Sequence, residues 1–484
     1  MFDSHFFSRH KKSIENYRAW IDAGVEELLA SYPDGPYAGD RPASLVDALR
    51  GEILPAAPVP TAELKSRLRT LIAKSIAVSH PRTAAHLHTP VLLPALGAEM
   101  IISALNQSMD SFDQAPAATV VEELICEQLC RLAGLPRPAA GTFTAGGSQS
   151  NYMGVLLARD YFLRKRWNWN AREKGLPAEA GHLRIFCSEA AHFSVEKAAI
   201  QLGLGLQSVV RIGVDSAFRM RPDHLKQQIE TARAPGLAPF AVVATAGTTD
   251  FGSFDPINAI SEIAREAGLW LHVDAAYGGA LLLSEKHRSK LDGLNRADSI
   301  SMDFHKAFFQ PISCGAFLLS DKARFDLIRV HADYLNTEER EADGIPDLVT
   351  RSVLTTRRFE ALKLWTSFQA VGREQFAAMI DRLASLAQFA ASQIAALENF
   401  ELLHQPEFGC VVFRYAGGRA DGVNRAIAQN LFDSGRAVIG HTVVNGRACL
   451  KLTFCNPCTT EEQIRDLLRL IENCAAEEVL TAHA

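Results

Sequence analysis

From residue 91 to about residue 372 the chain alternates short apolar runs with helical stretches. That alternation is satisfied by an open α/β sheet with helices covering its faces. The predicted strands are 184–187, 241–246, 269–273, 298–302 and 315–319, with predicted helices over 193–202, 222–232 and 256–266 between them. Ligands of such sheets sit at the carboxyl ends of the strands. Asp274, Thr248 and the pair His305-Lys306 all fall there. Lys306 is the most constrained of them, since a strand has just ended, Phe308 and Phe309 follow, and a second apolar run returns at Gly315. Apolar neighbours disfavour an ammonium, so a lysine held there is expected to have a lowered pKa and a usable lone pair.

The flanks read differently. Residues 1–90 are expected to form a helical arm used in dimerisation, with amphipathic helices over 14–29, 43–54 and 62–79 broken by prolines. The central unit runs over 91–372, and 373–484 form a small α+β unit. Its predicted order is a helix over 374–398, a strand over 410–415, a helix over 422–434, strands over 437–442 and 448–454, and a helix over 460–475. A charged stretch over 337–346, interrupted by Gly and Pro, reads as a mobile loop.

Composition excludes several classes. At 48% hydrophobic and 22% charged residues with a formal charge of -5, the 484-residue chain has the balance of a soluble globular protein and not of a nucleic-acid surface. No basic stretch followed by an apolar segment opens it, and no run is long enough to span a bilayer, so neither a signal peptide nor a membrane segment is expected. Nine scattered cysteines fit reduced thiols in the cytoplasm. Cys455-Asn-Pro-Cys458 has no second pair to complete a zinc site and reads as structural. His80, His86 and His88 lie close in sequence, but no carboxylate or cysteine joins them. His86 and His88 alternate as in a strand, so a cleft wall is expected there and no metal.

Two further stretches carry chemistry. Gly141-Thr-Phe-Thr-Ala-Gly-Gly-Ser-Gln-Ser-Asn151 runs into a predicted amphipathic helix over 152–167. Glycines at a helix start free backbone N–H groups for an anion, and Ser148 adds a hydroxyl. The spacing matches neither a Walker A loop nor a dinucleotide fingerprint, and a glycine-rich cap without a ligand would read the same. His192 follows another strand end, with Ser194 placed to cap the next helix. It could stack on a planar ring, or be a loop histidine satisfied by a carbonyl. Thr248 and Thr249 offer hydroxyls near a cofactor, or serve a turn.

Together, Thr144-Ala-Gly-Gly-Ser-Gln-Ser-Asn151, His192, His272-Val-Asp-Ala-Ala-Tyr277, Asp303-Phe-His-Lys306 and Asn456-Pro457 resemble the group II pyridoxal phosphate-dependent amino acid decarboxylases over nearly the whole chain. The resemblance implies the aspartate aminotransferase-like fold (fold type I), a mostly parallel large domain and a homodimer with its active site near the subunit interface. It implies Lys306 as the Schiff-base lysine, Asp274 as partner of the pyridine nitrogen, His192 over one ring face and Ala276 against the other. Gly147, Ser148 and His305 would hold the phosphate, with Thr248 nearby.

Two departures matter for the substrate. Lys451 stands where many members have an arginine that holds the substrate carboxylate, and a lysine offers a point charge in place of a fork. The presumed lid over 336–351 lacks the tyrosine that returns a proton in related members, which leaves His192, a water or Tyr334 for that task. Within the family, Ala85-His-Leu-His-Thr-Pro90, the stretch 103–116, 304–315 and His331-Ala-Asp-Tyr-Leu-Asn336 resemble the diaminobutyrate branch. Lysine and ornithine decarboxylases of siderophore or polyamine biosynthesis look similar, and an aminotransferase or another lyase is the more distant alternative. A diamino acid carries a distal ammonium that needs a partner. Asp110 and Asp113 are the candidates to read it, with solvation or helix capping as the alternative, and His88 is placed with Lys451 among the substrate-binding residues.

Overall fold

The computed structural model describes residues 4–51 and 53–481. They divide into two compact units, one built from Leu87–Ala391 and His404–Val411, the other from Met1–His86, Ser392–Leu403 and Val412–Ala484.

The larger unit is organised by a seven-stranded sheet. In chain order its strands are β1 (Ala140–Thr144), β2 (Leu183–Ser188), β3 (Val209–Ile212), β4 (Ala238–Thr245), β5 (Trp270–Asp274), β6 (Ser299–Asp303) and β7 (Gly315–Leu319). Across the sheet they run β1, β7, β6, β5, β4, β2, β3. All neighbours are parallel except β7, which is antiparallel to both β1 and β6. Strands buried on both faces read as continuous apolar runs, and β4, buried from Pro239 to Thr245, shows why its run was legible. The edge strand β3 is half-buried along most of its length, and β1 is rich in Gly and Thr. Neither gives an apolar run, and neither was expected from the sequence.

The helix after β1 differs from expectation. It starts at Gly147, well before residue 152, and ends at Trp167. Nor is it amphipathic, for Ser150, Asn151, Met153, Gly154, Val155, Leu157 and Ala158 are buried in succession. A helix laid across the middle of the sheet is covered on nearly every side, so no polar stripe survives. Its last turn carries Arg164, Lys165 and Arg166, where the helix dipole favours cations. The segment predicted as a mobile loop holds a short helix, Glu338–Ala342. Thr337 caps it by accepting the Arg340 N–H, and Arg340 pairs with Asp347 and Asp113.

In the second unit, Thr83–Ala84 pair in parallel with Val438–Ile439 at the edge of a five-stranded sheet. That pairing, with the Arg41–Asp433 ion pair, joins the N-terminal residues to the C-terminal ones within one unit. The first helices are Lys11–Ser31, Pro42–Leu49 and Thr61–Ala73. The second was expected to reach residue 54 and ends at Leu49, and Glu52 lies outside the described residues. Lys11–Ser31 and Thr61–Ala73 are locked by buried Glu27, which takes Arg69 and Lys65. Apolar Trp20 and Leu29 remain exposed. The predicted strand through His86 and His88 is absent, since pairing stops at Ala84.

The ion pair of Arg357 with Glu122 anchors the second half of β1. Glu122 accepts the Phe143 N–H and the Thr142 hydroxyl, while Arg357 donates to the Phe143 carbonyl, and both side chains are buried. Removing one partner strands the other's charge. Arg357→Leu should therefore destabilise the protein by about 3–5 kcal/mol in urea unfolding. Arg41→Ala, which breaks an exposed pair, should cost less than about 1 kcal/mol.

Candidate active site

At the carboxyl edge of the large sheet the strand ends surround a cavity of about 260 Å³. It is lined by Gly146, Gly147 and Ser148 after β1, His192 after β2, and Thr245, Gly247 and Thr249 at and after β4. Asp274, Ala276 and Tyr277 come from β5, Asp303, His305 and Lys306 from β6, and Leu87 and Asn151 complete the wall. Seven of the sequence-predicted residues (Gly147, Ser148, His192, Asp274, Ala276, His305 and Lys306) are thus brought to one cavity.

Lys306 does not sit among purely apolar neighbours. Its Nζ lies 3.1 Å from Asp303 Oδ2, and Asp303 is buried. His305 donates from Nδ1 to the Cys314 carbonyl at 2.8 Å, and its Nε2 stands 3.7 Å from Asp303. The charge of a buried carboxylate is thereby faced by Lys306, a contact that the expectation of an apolar lysine pocket did not contain.

Asp274 is held by hydrogen bonds alone. Its Oδ1 accepts the Ala276 N–H at 3.1 Å, and its Oδ2 accepts Asn151 Nδ2 at 2.8 Å. The second amide hydrogen of Asn151 goes to Ser194 Oγ. Ser194 in turn directs both its hydroxyl and its N–H at His192 Nδ1, at 2.9 and 3.3 Å. His192 therefore carries its proton on Nε2 when neutral. Burial holds its pKa below the ordinary histidine range, against the attraction of Asp274.

The remaining predicted residues lie elsewhere. Thr248 is fully buried in the turn after β4, its hydroxyl accepting the Ser253 N–H, while Thr245 and Thr249 line the cavity. That turn is pinned by buried Asp255, which accepts the Thr245 and Met220 N–H groups and whose pKa burial raises to about 7. Asp110 is buried with its Oδ1 on the Ser111 N–H, and Asp113 is exposed and paired with Arg340. Neither lines the cavity, nor does His88, whereas its neighbour Leu87 does. Lys451 belongs to the other unit, where it is buried in a cavity shared with His86 and His441. Among the described residues no three His, Cys, Asp or Glu side chains are grouped to hold a metal ion.

Sequence reasoning missed Asn151, Thr245 and Asp303 as site residues. Thr245 and Asp303 are the last residues of apolar strands, a signal that was available. Asn151 lies one turn into a helix and only the fold shows its role.

The donor set fits a phosphate-bearing pyridine aldehyde. The helix starts at Gly147, where N–H groups have no intrahelical carbonyl to meet, and Ser148 and His305 stand beside it. A Cβ on Gly147 would come within 3.0 Å of Asp303 Oδ2 and 3.2 Å of Ala276 Cβ, so the cradle leaves no room for a side chain. Among the described residues, buried Thr245 Oγ1 and Asp303 Oδ1 find no hydrogen-bond partner, as expected of groups that meet a ligand.

Comparison with known proteins agrees. Residues 45–416 match the pyridoxal-dependent decarboxylase conserved domain. The chain is 43% identical over 417 residues to an L-2,4-diaminobutyrate decarboxylase of Acinetobacter baumannii, covering 84% of this chain and 82% of that one. It is 42% identical over 474 residues to one of Rhizobium meliloti, covering 96% and 92%. The crystal structure of the glutamate decarboxylase domain of diaminobutyrate-pyruvate transaminase and L-2,4-diaminobutyrate decarboxylase from Vibrio parahaemolyticus superposes with a TM-score of 0.90 at 38% identity, covering 98% of this chain and 99% of that one.

Gly147→Ala should weaken retention of pyridoxal phosphate by ~10-fold or more, through overpacking of the cradle, with little change in melting temperature. Titration of the cofactor by fluorescence quenching measures both arms. Asp113→Asn, far from the cavity lining, should leave that affinity unchanged.

Proposed function

The chain belongs to the family of pyridoxal-dependent decarboxylases, and from that premise we propose that it converts L-2,4-diaminobutyrate to 1,3-diaminopropane and carbon dioxide. Its use of pyridoxal phosphate and its amino acid decarboxylase activity follow from the family. The observation that carries the substrate is the 42% identity to a diaminobutyrate decarboxylase along 96% of the chain.

Bound pyridoxal phosphate supplies an aldehyde that captures an amine and a pyridinium ring that accepts the electron pair left by departing carbon dioxide. Lys306 offers the protein's own amine, with Asp303 placed to balance its charge. Gly147, Ser148 and His305 would take the phosphate, and Ala276 and His192 would pack against the ring. Asp274 would pair with the ring nitrogen and keep the ring electron-poor. His192, protonated on Nε2, is the group to return a proton to the carbon that loses carbon dioxide. Tyr334 is 88% exposed on its segment and is not needed for that assignment.

We further propose a cytoplasmic homodimer. No described helix is long and apolar enough to cross a membrane. The helices Leu93–Leu105, Pro116–Leu132 and Ala361–Val371 present an apolar face of the kind a partner subunit covers. On it Leu93 is 79% exposed, Leu105 54%, Leu124 55% and Trp365 45%.

Carbon dioxide release with L-2,4-diaminobutyrate, L-ornithine, L-lysine, L-glutamate and L-tyrosine tests the reading. Turnover is expected chiefly with the short diamino acid, and preference for glutamate or tyrosine would overturn it. Lys306→Ala should lower turnover by at least ~1,000-fold, as loss of a covalent catalytic group does. Analytical ultracentrifugation should give twice the chain mass.

A further inference from the structure

A hydrogen-bonded line runs inside the large unit from Trp270 to Asp274, and its two ends set the direction of the links between them. An indole N–H can only donate. Trp270 Nε1 donates to Ser299 Oγ at 2.9 Å, and Ser299 is fully buried. The Ser299 oxygen stands 2.8 Å from His272 Nδ1, and because His272 Nε2 faces the Asn151 carbonyl, whose amide nitrogen is on Asp274, the hydroxyl donates to Nδ1. His272 is then an acceptor at Nδ1 and, in the neutral form, a donor at Nε2. Burial keeps it neutral by pushing its pKa down to about 4. Its Nε2–H meets Asn151 Oδ1 at 3.0 Å, and the Ser301 hydroxyl donates to the same oxygen at 2.6 Å. With two donors on its carbonyl, Asn151 has only one orientation left. Its amide N–H groups face Asp274 and Ser194.

The direction of the Asn151 amide is set by its contact with the Asp274 carboxylate, and the contacts of its carbonyl with His272 and Ser301 agree with it. The reverse orientation would set a carbonyl against a carboxylate and leave His272 and Ser301 pointing donors at an NH₂ group. Space is reserved for the line as well. A Cβ on Gly154, one turn beyond Asn151, would stand 2.5 Å from His272 Nδ1.

We propose that Asn151 is a positioning residue for the cofactor, locked by His272 and Ser301 so that it presents a donor to Asp274 and aims that carboxylate at the pyridine nitrogen. The inference rests on the assignment of Asp274 to the ring nitrogen. A donor on the far side of a carboxylate stabilises its charge, and the charged form is the one that pairs with a protonated ring nitrogen. Through its second N–H the same amide orients Ser194, whose hydroxyl fixes the His192 tautomer. One side chain thus orients both the group beneath the ring nitrogen and the group over the ring face.

The test compares pyridoxal phosphate with an analogue in which C–H replaces the ring nitrogen. Each is titrated into the full chain after cofactor removal, so affinity is read without turnover. The wild type should prefer pyridoxal phosphate. Asn151→Leu should cut that preference by ~10-fold or more, the scale of one hydrogen bond to a charged group, while moving affinity for the analogue by less than ~3-fold. Ser299→Ala, which removes the donor to His272 Nδ1 without touching Asn151, should erode the preference in the same direction, and serves alone if Asn151→Leu does not fold. An unchanged preference in both variants, or an equal loss of affinity for both molecules, would overturn the proposal. Asp274→Ala separates the two layers of the argument. If it abolishes the preference while Asn151→Leu keeps it, Asn151 has no positioning role. If Asp274→Ala keeps the preference too, the ring-nitrogen assignment itself falls.

Discussion

Two buried carboxylates at neighbouring strand ends set the terms for the whole site. Asp274 closes β5 and Asp303 closes β6, and both are nearly inaccessible to solvent. A buried charge must be paired or hydrogen-bonded, and the protein solves the two cases differently. Asp274 receives neutral donors from Asn151 and Ala276, which leaves it able to meet a cation on the cavity side. Asp303 faces the Lys306 amine at 3.1 Å and the His305 ring nitrogen at 3.7 Å. The first arrangement stays fixed when a ligand arrives. The second contains the Lys306 amine, and Asp303 Oδ1 is buried with no hydrogen-bond partner among the described residues.

This division explains which parts of the site could be read from sequence. Lys306, Asp274, His192, Ser148 and His305 were legible because each follows a strand end in a parallel sheet, where chain order places polar residues at one edge. Thr248 was expected near the cofactor, but a shift of one residue in a turn decides which hydroxyl faces inward. The structure sends Thr248 to Ser253 and leaves Thr249 on the cavity. Asp110, Asp113 and His88 were chosen by charge type and proximity in sequence, and packing took them elsewhere. Asn151 was invisible for a different reason. Its importance comes from partners in β5, β6 and the loop after β2, contacts that no local pattern encodes.

The fold was legible in the same uneven way. The central strands are buried on both faces and announce themselves as apolar runs, whereas edge strand β3 and glycine-rich β1 do not. The helix Gly147–Trp167 was placed but misjudged, because amphipathicity presumes one wet face and this helix has little exposure until its basic last turns. The charged stretch after Asn336 looked mobile because Gly and Pro flank it. What orders it is a set of ion pairs made over a distance, Arg340 with Asp113 and Asp347 and Glu341 with Arg329.

The charge pattern of the cavity also bears on the substrate. A diamino acid brings a second ammonium that cannot be left unpaired when water is displaced. Of the described side chains lining the cavity, only Asp274 and Asp303 are acidic, and both already have partners within the chain. Selectivity for the distal ammonium is therefore a property of groups beyond this lining.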